Sequence, residues 1–363
     1  GLVEKGYDVS VLTGLPNYPK GKIYNGYSFS KNKKDNHEGI TIYRSLVIPR
    51  GKGSSLRLFL NYFSLALLAS LRVLFIKKKF DKIFVYQASP VTIGIPAVVA
   101  KYRFRAPIYF WVQDLWPESM VAVGGVKNKH VIKIVDLLTR FLYKESKKIL
   151  VQSRAFIPNI INQNVPNNKI IYLPNSTESF YKKIDLNNKY KNIMPKEGPI
   201  LMFAGNIGES QGFNTIIKSA KYLNDSKVKV NWVILGDGRQ RESLEKKINE
   251  LDLQNNFFFL GSYPSEEMPY FFAHADAMLV TLKKSFIFSM TIPNKIQSYM
   301  ACSKPIIANL DGEGGRVVLE AKCGKVSPSE DFISFSKSIT SFLKLSDSKK
   351  GLMGENARLY FDS

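Results

Sequence analysis

Short apolar runs alternate with helix-like segments along the first half of the chain. Runs rich in Val, Ile and Phe, each bounded by turn residues, lie at 8–14, 81–87, 106–114 and 147–153. The clearest helical pattern, 131–146, separates the last two runs. Apolar strands that alternate with helices are typical of a parallel sheet covered by helices. The first half is therefore predicted to be an α/β domain.

The second half repeats this rhythm. GPILMFAGNIG and KVNWVILGDG are each predicted to be a strand followed by a glycine loop, NFFFLGSY and DAMLVTL are predicted strands, and FNTIIKSAKYLN, RESLEKKINEL and SEEMPYFFAHA have helical patterns. Two doubly wound, Rossmann-like α/β domains are the simplest fold class for 363 residues. The polar stretch 187–199, with its two prolines, is the predicted linker, and we place the domains at 1–192 and 193–363.

One predicted helix, 56–79, differs from the others. It holds a long apolar run, 58–76, which is interrupted by Arg72 and flanked by Arg57 and three consecutive lysines. The run is long enough to cross a bilayer, but its polar residues make it a poor spanning segment. Three interpretations stay open: a core helix, a helix that dips into an anionic membrane face, and a transmembrane helix.

Positive charge is concentrated in the first part of the chain. The formal net charge is +22, and residues 1–200 hold 32 Lys and Arg against 12 Asp and Glu. This asymmetry predicts an anionic partner, which could be nucleic acid, an anionic membrane leaflet or a phosphorylated acceptor. No homeodomain, zinc-finger or aromatic RNA-binding pattern accompanies the charge, so no nucleic acid partner is expected.

Cysteine and histidine are too sparse for a disulfide framework or a zinc site. The chain has two cysteines, Cys302 and Cys323, without metal-ligand spacing, and three scattered histidines. We therefore expect no metal and no cofactor, and a reducing, cytoplasmic location. The opening GLVEKGYDVSVLTG is typical of a helix end that leads into a strand, so we expect the chain to be a fragment.

Two glycine loops and one lysine are the candidate chemistry of the second half. The segments 203–213 (FAGNIGESQGF) and 235–240 (LGDGRQ) contain loops that follow predicted strands, where open α/β sheets bind their ligands. Such loops let backbone amides approach an anion, although either could be only a tight turn. Lys295 begins a predicted helix at 296–302, and the acidic glycine loop 312–315 follows. A diphosphate held by backbone amides and Lys295 is the predicted ligand.

The order of these motifs resembles that of a known enzyme family. GNIGxxQG, GDG, GSYP…EEMPxFFAxADAMLVTL and PNKIQSYMACSKPII are similar to the nucleotide-binding half of retaining GT-B glycosyltransferases of family 4. VLTGLPNYPKGKIYNGY, IPRGKGSSLRLFLNYFS and YFWVQDLWPES are similar to acceptor-side segments of the bacterial branch that builds O-antigen, capsule and colanic acid and includes the L-N-acetylfucosamine (L-FucNAc) transferases. The resemblance covers nearly the entire chain. It places the family's first strand before Gly1 and predicts a truncated last helix.

The resemblance implies a donor site with two departures from the wider family. Met290 and Ser298 stand where most members carry two glutamates, and Asn206 and Gln211 where most carry an Arg and a Lys at the diphosphate. Lys295 is expected to replace the missing cation. The residues expected to bind the donor, with Gln297 or Glu313 on hydroxyls, are Gly205, Asn206, Gln211, Gly212, Gly236, Asp237, Gly238, Pro293, Asn294, Gln297, Ser298, Glu313, Gly314 and Gly315.

Lys295 and Asp114 are the expected catalytic residues. The family implies retention at the anomeric carbon without a metal, and Lys295 would stabilise the leaving diphosphate. Asp114 would accept a proton from the acceptor hydroxyl or orient it, or else would cap the following helix. Basic loops at 17–22, 31–34 and 50–53 would face a polyprenyl-diphosphate-linked acceptor and anionic headgroups. The acceptor-side residues expected in these loops are Asn17, Tyr18, Lys20, Lys22, Arg50 and Lys52.

Together these features predict a retaining glycosyltransferase of GT-B fold, with two domains that face a central cleft. It would move an N-acetylhexosamine such as L-FucNAc from a UDP-sugar to a lipid-linked or glycan acceptor in surface polysaccharide synthesis. We expect it to be peripheral on the inner face of the bacterial cytoplasmic membrane. A nucleotide-sugar epimerase of similar fold and a non-enzymatic protein that binds anionic surfaces stay open as alternatives, because fold alone does not separate them.

Overall fold

Two compact units make up the protein. The structure is a computed structural model, in which unit 1 comprises Gly1–Leu173 and unit 2 comprises Pro174–Ser363. The residues that the structure describes are 1–18, 20–28, 34–122, 126–186 and 188–363. Most of the predicted basic loop 31–34 therefore lies outside the described residues.

Unit 1 contains two sheets. Its elements are β1 (Ser10–Gly14), β2 (Lys34–His37), β3 (Ile40–Ser45), α1 (Ser55–Leu74), β4 (Ile83–Gln87), α2 (Gly94–Phe104), β5 (Ile108–Val112), α3 (Glu118–Ala122), α4 (Lys129–Glu145), β6 (Lys148–Val151), α5 (Phe156–Asn162) and β7 (Ile170–Tyr172). The first sheet has the order β1-β3-β2, with β1 parallel and β2 antiparallel to β3. The second sheet, β4-β5-β6-β7, is parallel throughout.

Unit 2 is a single doubly wound sheet with helices. Its elements are β8 (Ile200–Ala204), α6 (Phe213–Asp225), β9 (Asn231–Leu235), α7 (Arg241–Glu250), β10 (Phe257–Gly261), α8 (Met268–Ala273), β11 (Ala277–Thr281), α9 (Phe286–Met290), α10 (Asn294–Ala301), β12 (Ile306–Asn309), α11 (Glu313–Glu320), β13 (Gly324–Ser327), α12 (Phe332–Leu343) and α13 (Asp347–Asp362). All six strands are parallel, in the order β10-β9-β8-β11-β12-β13.

Strand alternation builds two cores in unit 2, one on each face of the sheet. In β8, Met202 and Ala204 belong to a core that includes Ile296 of α10, whereas Leu201 and Phe203 belong to another core with α6, α7 and α12. Every residue of β8 is buried, as expected for a parallel strand covered on both faces. The predicted fold class, α/β with two Rossmann-like domains, is confirmed.

The border between the units falls earlier than the predicted border at 192/193. The segment 174–192 packs on unit 2, where Tyr181 and Tyr190 contact its core and the Tyr190 ring stacks on Phe271 at 3.9 Å between centroids. From the sequence, this segment is predicted to belong to the first domain, because the polar linker 187–199 begins only near its end. Two partly buried tyrosines attach the segment to unit 2, because aromatic side chains contribute large apolar areas.

Candidate active site

A cavity lies at the carboxyl ends of β8 and β9. Strand order in unit 2 runs outward from β8 to β10 and then returns to β11 on the other side of β8, so this end of the sheet is a topological switch point. The cavity has a volume of about 400 Å³. Its lining residues are Tyr181, Ala204, Gly205, Asn206, Leu235, Gly236, Asp237, Ser262, Tyr263, Ser265, Met268, Phe272, Lys295, Ser298 and Tyr299.

The two predicted glycine loops form one wall of the cavity. Gly205 and Gly236 have φ angles of +139° and +126°, which few other residues adopt. A Cβ atom on Gly236 would lie 1.9 Å from the carbonyl oxygen of Gly205, so the close approach of the two turns requires glycine. The backbone N–H groups of Asn206 and Asp237 donate no hydrogen bond to the residues that the structure describes. They are available donors for an anion.

Lys295 reaches the same wall from the first turn of α10. Its Nζ donates to Gln211 Oε1 at 2.6 Å and lies 3.7 Å from the centroid of the Phe203 ring. A Cβ atom on Gly205 would be only 3.5 Å from this Nζ. The structure therefore brings together Lys295 and the glycine loop after β8, as the sequence predicted for a diphosphate site.

Burial changes the charge state of Lys295. It lowers the pKa of the ammonium group from its ordinary value of 10.5 to about 7. Among the residues that the structure describes, no carboxylate contacts its Nζ to offset the desolvation. An anionic ligand would supply the missing counter-charge, so the site is suited to bind a diphosphate and to take up a proton with it.

Gln211 is held in place by the end of β11. The hydroxyl of Thr281 donates to the carbonyl of Gln211, and the backbone N–H of Lys283 donates to Ser210 O at 2.9 Å. Gly212 has a φ of +62°, and a Cβ atom on it would lie 3.2 Å from the carbonyl carbon of Leu282. Gln211 and Gly212 thus join the loops on both sides of the switch point, although neither lines the cavity.

The start of α10 is tied to the beginning of unit 2. The Ser298 hydroxyl lies 3.1 Å from Thr177 Oγ1, and the Asn294 side chain accepts a hydrogen bond from Asn175 at 3.0 Å. Ser298 lines the cavity, whereas Asn294 and Pro293 do not. The hydrogen bond of Asn294 therefore helps to fix the start of the helix that carries Lys295 and Ser298.

Several predicted donor residues lie away from the cavity. Glu313 is buried and accepts two hydrogen bonds of 2.9 Å from Arg316. Gln297 is also buried, and its amide, in the orientation that satisfies it, donates to the carbonyls of Pro293 and Asn294. A Cβ on Gly314 would be 3.0 Å from Pro293, and one on Gly315 would be 3.0 Å from Val326. Gly238 likewise packs its backbone against Ile207. Donor binding by these residues stays a prediction.

The structure adds cavity residues that the sequence did not single out. Ser262 and Tyr263 follow β10, so the rule that places ligands at strand ends could have identified them. The Tyr263 ring packs 4.5 Å from Phe271. Tyr181 belongs to a segment assigned to the wrong domain, and no signal in the sequence placed it here. The aromatic residues add apolar surface to the lining of the cavity, as in many ligand sites.

Asp114 follows β5 in unit 1. The backbone pairing continues one residue past the strand, where Gln113 N–H donates to Gln87 O at 3.0 Å. Burial raises the pKa of the half-buried Asp114 carboxyl to about 6. Its carboxylate accepts no hydrogen bond from the residues that the structure describes, so the alternative role as a helix cap has no support there. Its catalytic role stays a prediction.

Two of the predicted basic loops lie side by side in unit 1. Gly51 N–H donates to Gly21 O at 2.9 Å, and Arg50 N–H to the Asn17 side chain at 3.3 Å. The Arg50 guanidinium stacks 5.1 Å from the centroid of the exposed Tyr18 ring. The exposed lysines of these loops are Lys20, Lys22 and Lys52. The structure thus brings together the two loops that carry the six predicted acceptor-side residues.

Comparisons with known proteins match both halves of the chain. A family model described as Glycosyl transferases group 1 matches residues 184–360, and one described as Glycosyl transferase 4-like domain matches residues 1–176. The chain is a glycosyltransferase, with a group 1 domain in its second half. As an enzyme of this family it is a transferase, so the epimerase and the non-enzymatic alternative are wrong.

Among curated glycosyltransferases, the chain is similar to WcaI of Escherichia coli (strain K12), whose name refers to colanic acid biosynthesis. The two are 26% identical over 314 residues, which is 83% of this chain and 74% of WcaI. WbjE of Pseudomonas aeruginosa, named as a glycosyltransferase, is 24% identical over 66% of this chain and 60% of its own length. The chain therefore spans only part of these relatives.

Solved structures show the same fold for this glycosyltransferase. Anabaena HepE in complex with UDP aligns with a TM-score of 0.68 at 14% identity, over 88% of this chain and 81% of HepE. WaaG, described as a glycosyltransferase involved in lipopolysaccharide biosynthesis, aligns with a TM-score of 0.67 at 12% identity, over 100% of this chain and 89% of WaaG. These likenesses support the GT-B assignment.

No metal centre is evident in the part of the chain that the structure describes. No three His, Cys, Asp or Glu side chains there are placed to hold an ion. Cys302 and Cys323 are both free and buried, and burial raises the pKa of each thiol to about 12. Metal-independent transfer stays a prediction.

Proposed function

We propose that this glycosyltransferase moves a sugar from a UDP-sugar to a lipid-linked or glycan acceptor of a bacterial surface polysaccharide, with retention at the anomeric carbon. The observation that carries the proposal is the position of Lys295, a half-buried lysine with a lowered pKa, beside two glycine turns at the switch point of unit 2. HepE has been crystallised with UDP and with UDP-glucose, which supports uridine diphosphate as the nucleotide.

The proposed reaction exchanges one bond at the anomeric carbon for another. The bond from this carbon to the β-phosphate oxygen breaks, a bond to the acceptor hydroxyl oxygen forms on the same face, and UDP leaves. Negative charge grows on the leaving diphosphate, and we assign its stabilisation to Lys295 and the amides of Asn206 and Asp237. Fixed donors of this kind lower the barrier because they match the transition state better than the ground state.

We assign the acceptor to unit 1, with Asp114 as the group that orients the acceptor hydroxyl or receives its proton. A carboxyl pKa of about 6 leaves the group mostly ionised at neutral pH and makes it a stronger base than an ordinary aspartate. The resemblance to L-FucNAc transferases supports an N-acetylhexosamine such as L-FucNAc as the transferred sugar. The names of WcaI and WaaG support a surface polysaccharide as the destination. We place the enzyme on the inner face of the cytoplasmic membrane.

Titration calorimetry of the whole chain with UDP, GDP and ADP at fixed salt tests the donor assignment. We expect binding of UDP at least about tenfold tighter than that of the other two, since HepE has been crystallised with UDP. Equal affinities would contradict the choice of uridine, and binding of none would contradict the donor site. Activity with candidate UDP-sugars would then identify the sugar.

A further inference from the structure

Helix α1 carries its apolar side chains on the outside. The buried face holds small or polar residues, namely Asn61, Ser64, Ala66, Ala69 and Val73. The opposite face, here called the outer stripe, consists of Leu56, Phe59, Phe63, Leu67, Leu71, Leu74 and Phe75. The exposed fractions of these large side chains range from 45% at Leu71 to 77% at Phe75. Core helices have the reverse arrangement, so the structure argues against the core-helix interpretation.

Polar contacts fix this orientation. Asn61 donates to Ile48 O at 2.6 Å, and Ile48 N–H donates to Ser64 Oγ at 2.9 Å. Arg50 Nε donates to the side-chain oxygen of Asn61, Oδ1, at 3.3 Å. Rolling the helix to hide the outer stripe would leave these buried groups without partners, at a cost of about 1–3 kcal/mol each.

The outer stripe is one continuous surface. From Leu56 to Leu74 its members follow one another at intervals of three or four residues, which places them on one side of a helix. The rings of Phe59 and Phe63 stack with 6.1 Å between centroids. A large contiguous apolar patch on a protein surface marks an interaction site.

A second helix of unit 1 also exposes apolar side chains. Helix α1 packs on α2, and α2 packs on α4. Helix α4 also exposes a row of apolar side chains at helical spacing: Val131, Ile134, Leu137 and Phe141. Unit 1 therefore exposes rows of apolar side chains on two of its helices.

Cations stand at both ends of α1. The paired basic loops at its start expose Lys20, Lys22 and Lys52, and Arg57 lies in its first turn. Lys77 and Lys79 are exposed just after its end. No Asp or Glu occurs between 39 and 80. An apolar face with cations at its borders is complementary to a bilayer that contains anionic lipids.

We infer that the outer stripe lies in the plane of an anionic membrane surface, with its apolar side chains among the acyl chains and its basic borders at the lipid phosphates. Among the described residues, α1 is the one helix long and apolar enough to cross a bilayer, a test that core helices also pass. An in-plane position fits better. Helix α1 connects β3 to β4 along the chain, and the hydrogen bonds of Asn61 and Ser64 attach its inner face to the rest of unit 1. The inference rests on the membrane location proposed above.

Vesicle cosedimentation with paired variants tests the surface. We expect the whole chain to bind vesicles of phosphatidylcholine and phosphatidylglycerol more tightly than vesicles of phosphatidylcholine alone, less so as salt rises. F63Q/L67Q should lose at least about tenfold in vesicle affinity, since two large apolar side chains leave the lipid. The matched control, L352Q/L359Q, changes two exposed leucines of α13 in unit 2 and should bind as the parent does.

Depth measurements distinguish an in-plane helix from a spanning one. Single cysteines at Phe59, Leu67 and Leu74 would carry an environment-sensitive fluorophore, since the native Cys302 and Cys323 are buried. Quenchers placed at different depths in the lipid should report the same shallow depth for all three labels. A label at Leu67 much deeper than the other two would overturn the in-plane position.

Three other results of these experiments would overturn the proposed membrane surface. Equal vesicle affinity of parent and F63Q/L67Q, both with unchanged melting temperature, would overturn the surface but leave a membrane location possible through another site. No vesicle binding by a chain that still binds UDP would overturn both the surface and the location, and leave the transfer reaction standing. A parent that is dimeric in solution, with a monomeric F63Q/L67Q variant, would assign the outer stripe to a second copy instead.

Discussion

At the scale of single residues, Lys295 was predictable and Glu313 was not. The sequence places Lys295 at a helix start and predicts that it meets the glycine loops that follow two strands. The structure places its Nζ 3.5 Å from the position of a Cβ on Gly205. Glu313 has a basic residue three positions later on the same helix, and Arg316 holds it at 2.9 Å. The sequence shows that Glu313 and Arg316 can form an ion pair. It does not show whether the Glu313 carboxylate binds Arg316 or a hydroxyl of the donor.

Replacing Lys295 tests the diphosphate contact. Lys295→Ala should weaken UDP binding by about 1.5–3 kcal/mol, the contribution of a hydrogen bond to a charged group. With a pKa of about 7, the parent lysine is mostly neutral at pH 9, so UDP affinity should fall between pH 7.5 and 9. Calorimetry in buffers of different ionisation enthalpy should show proton uptake on binding, because the diphosphate favours the charged amine.

Lys295→Arg is the matched control for this titration, since arginine stays charged throughout the range. Its UDP affinity should be independent of pH between 7.5 and 9, whatever its absolute value. The diphosphate itself loses its last proton below this range, with a pKa of about 6. An equal pH dependence in parent, Ala and Arg variants would remove Lys295 from the site.

At the scale of elements, periodicity predicted the strands and helices that carry the site. The predicted helix 296–302 is α10, Asn294–Ala301, and the predicted strands before the two glycine loops are β8 and β9. The antiparallel strand β2 was not predicted, because its sequence, KDNH, is polar and exposed throughout. For 56–79 the sequence left three interpretations open, since apolar content does not reveal which face of a helix is buried.

The contact between the two glycine loops leads to a second prediction. Gly236→Ala should destabilise unit 2 and weaken UDP binding, because the new Cβ would lie 1.9 Å from Gly205 O and φ is +126°. We expect a loss of about 1–3 kcal/mol in the free energy of unfolding, measured with urea. The control is Gly261→Ala, where φ is +78° but nothing lies within 4 Å of the new Cβ.

Gly261→Ala should therefore show only the cost of its backbone angle, about 1 kcal/mol, and should keep UDP affinity within about twofold of the parent. Similar losses in both variants would mean that backbone angle alone, and not the approach of the two loops, requires glycine at position 236.

At the scale of the whole molecule, charge and chemistry divide between different parts of the chain. Residues 1–200 hold 32 of the 52 basic residues but 12 of the 30 acidic ones, whereas the cavity with Lys295 belongs to unit 2. This division was evident from the sequence, since charge can be counted. The border between the units was not evident, because the contacts of two partly buried tyrosines in a polar segment determine it.

The division predicts separate footprints for the two proposed ligands in hydrogen exchange on the whole chain. UDP at about 100 times its dissociation constant stabilises the bound state by about 2.7 kcal/mol. Protection from exchange should therefore be greatest at 204–211, 235–240 and 293–299, which carry the loops and the start of α10.

Anionic vesicles should instead protect peptides of α1, because lipid covers the outer stripe and excludes water from its backbone. UDP that protects unit 1 but leaves the three unit 2 segments unchanged would contradict the donor assignment, and vesicles that leave α1 unchanged would contradict the membrane surface.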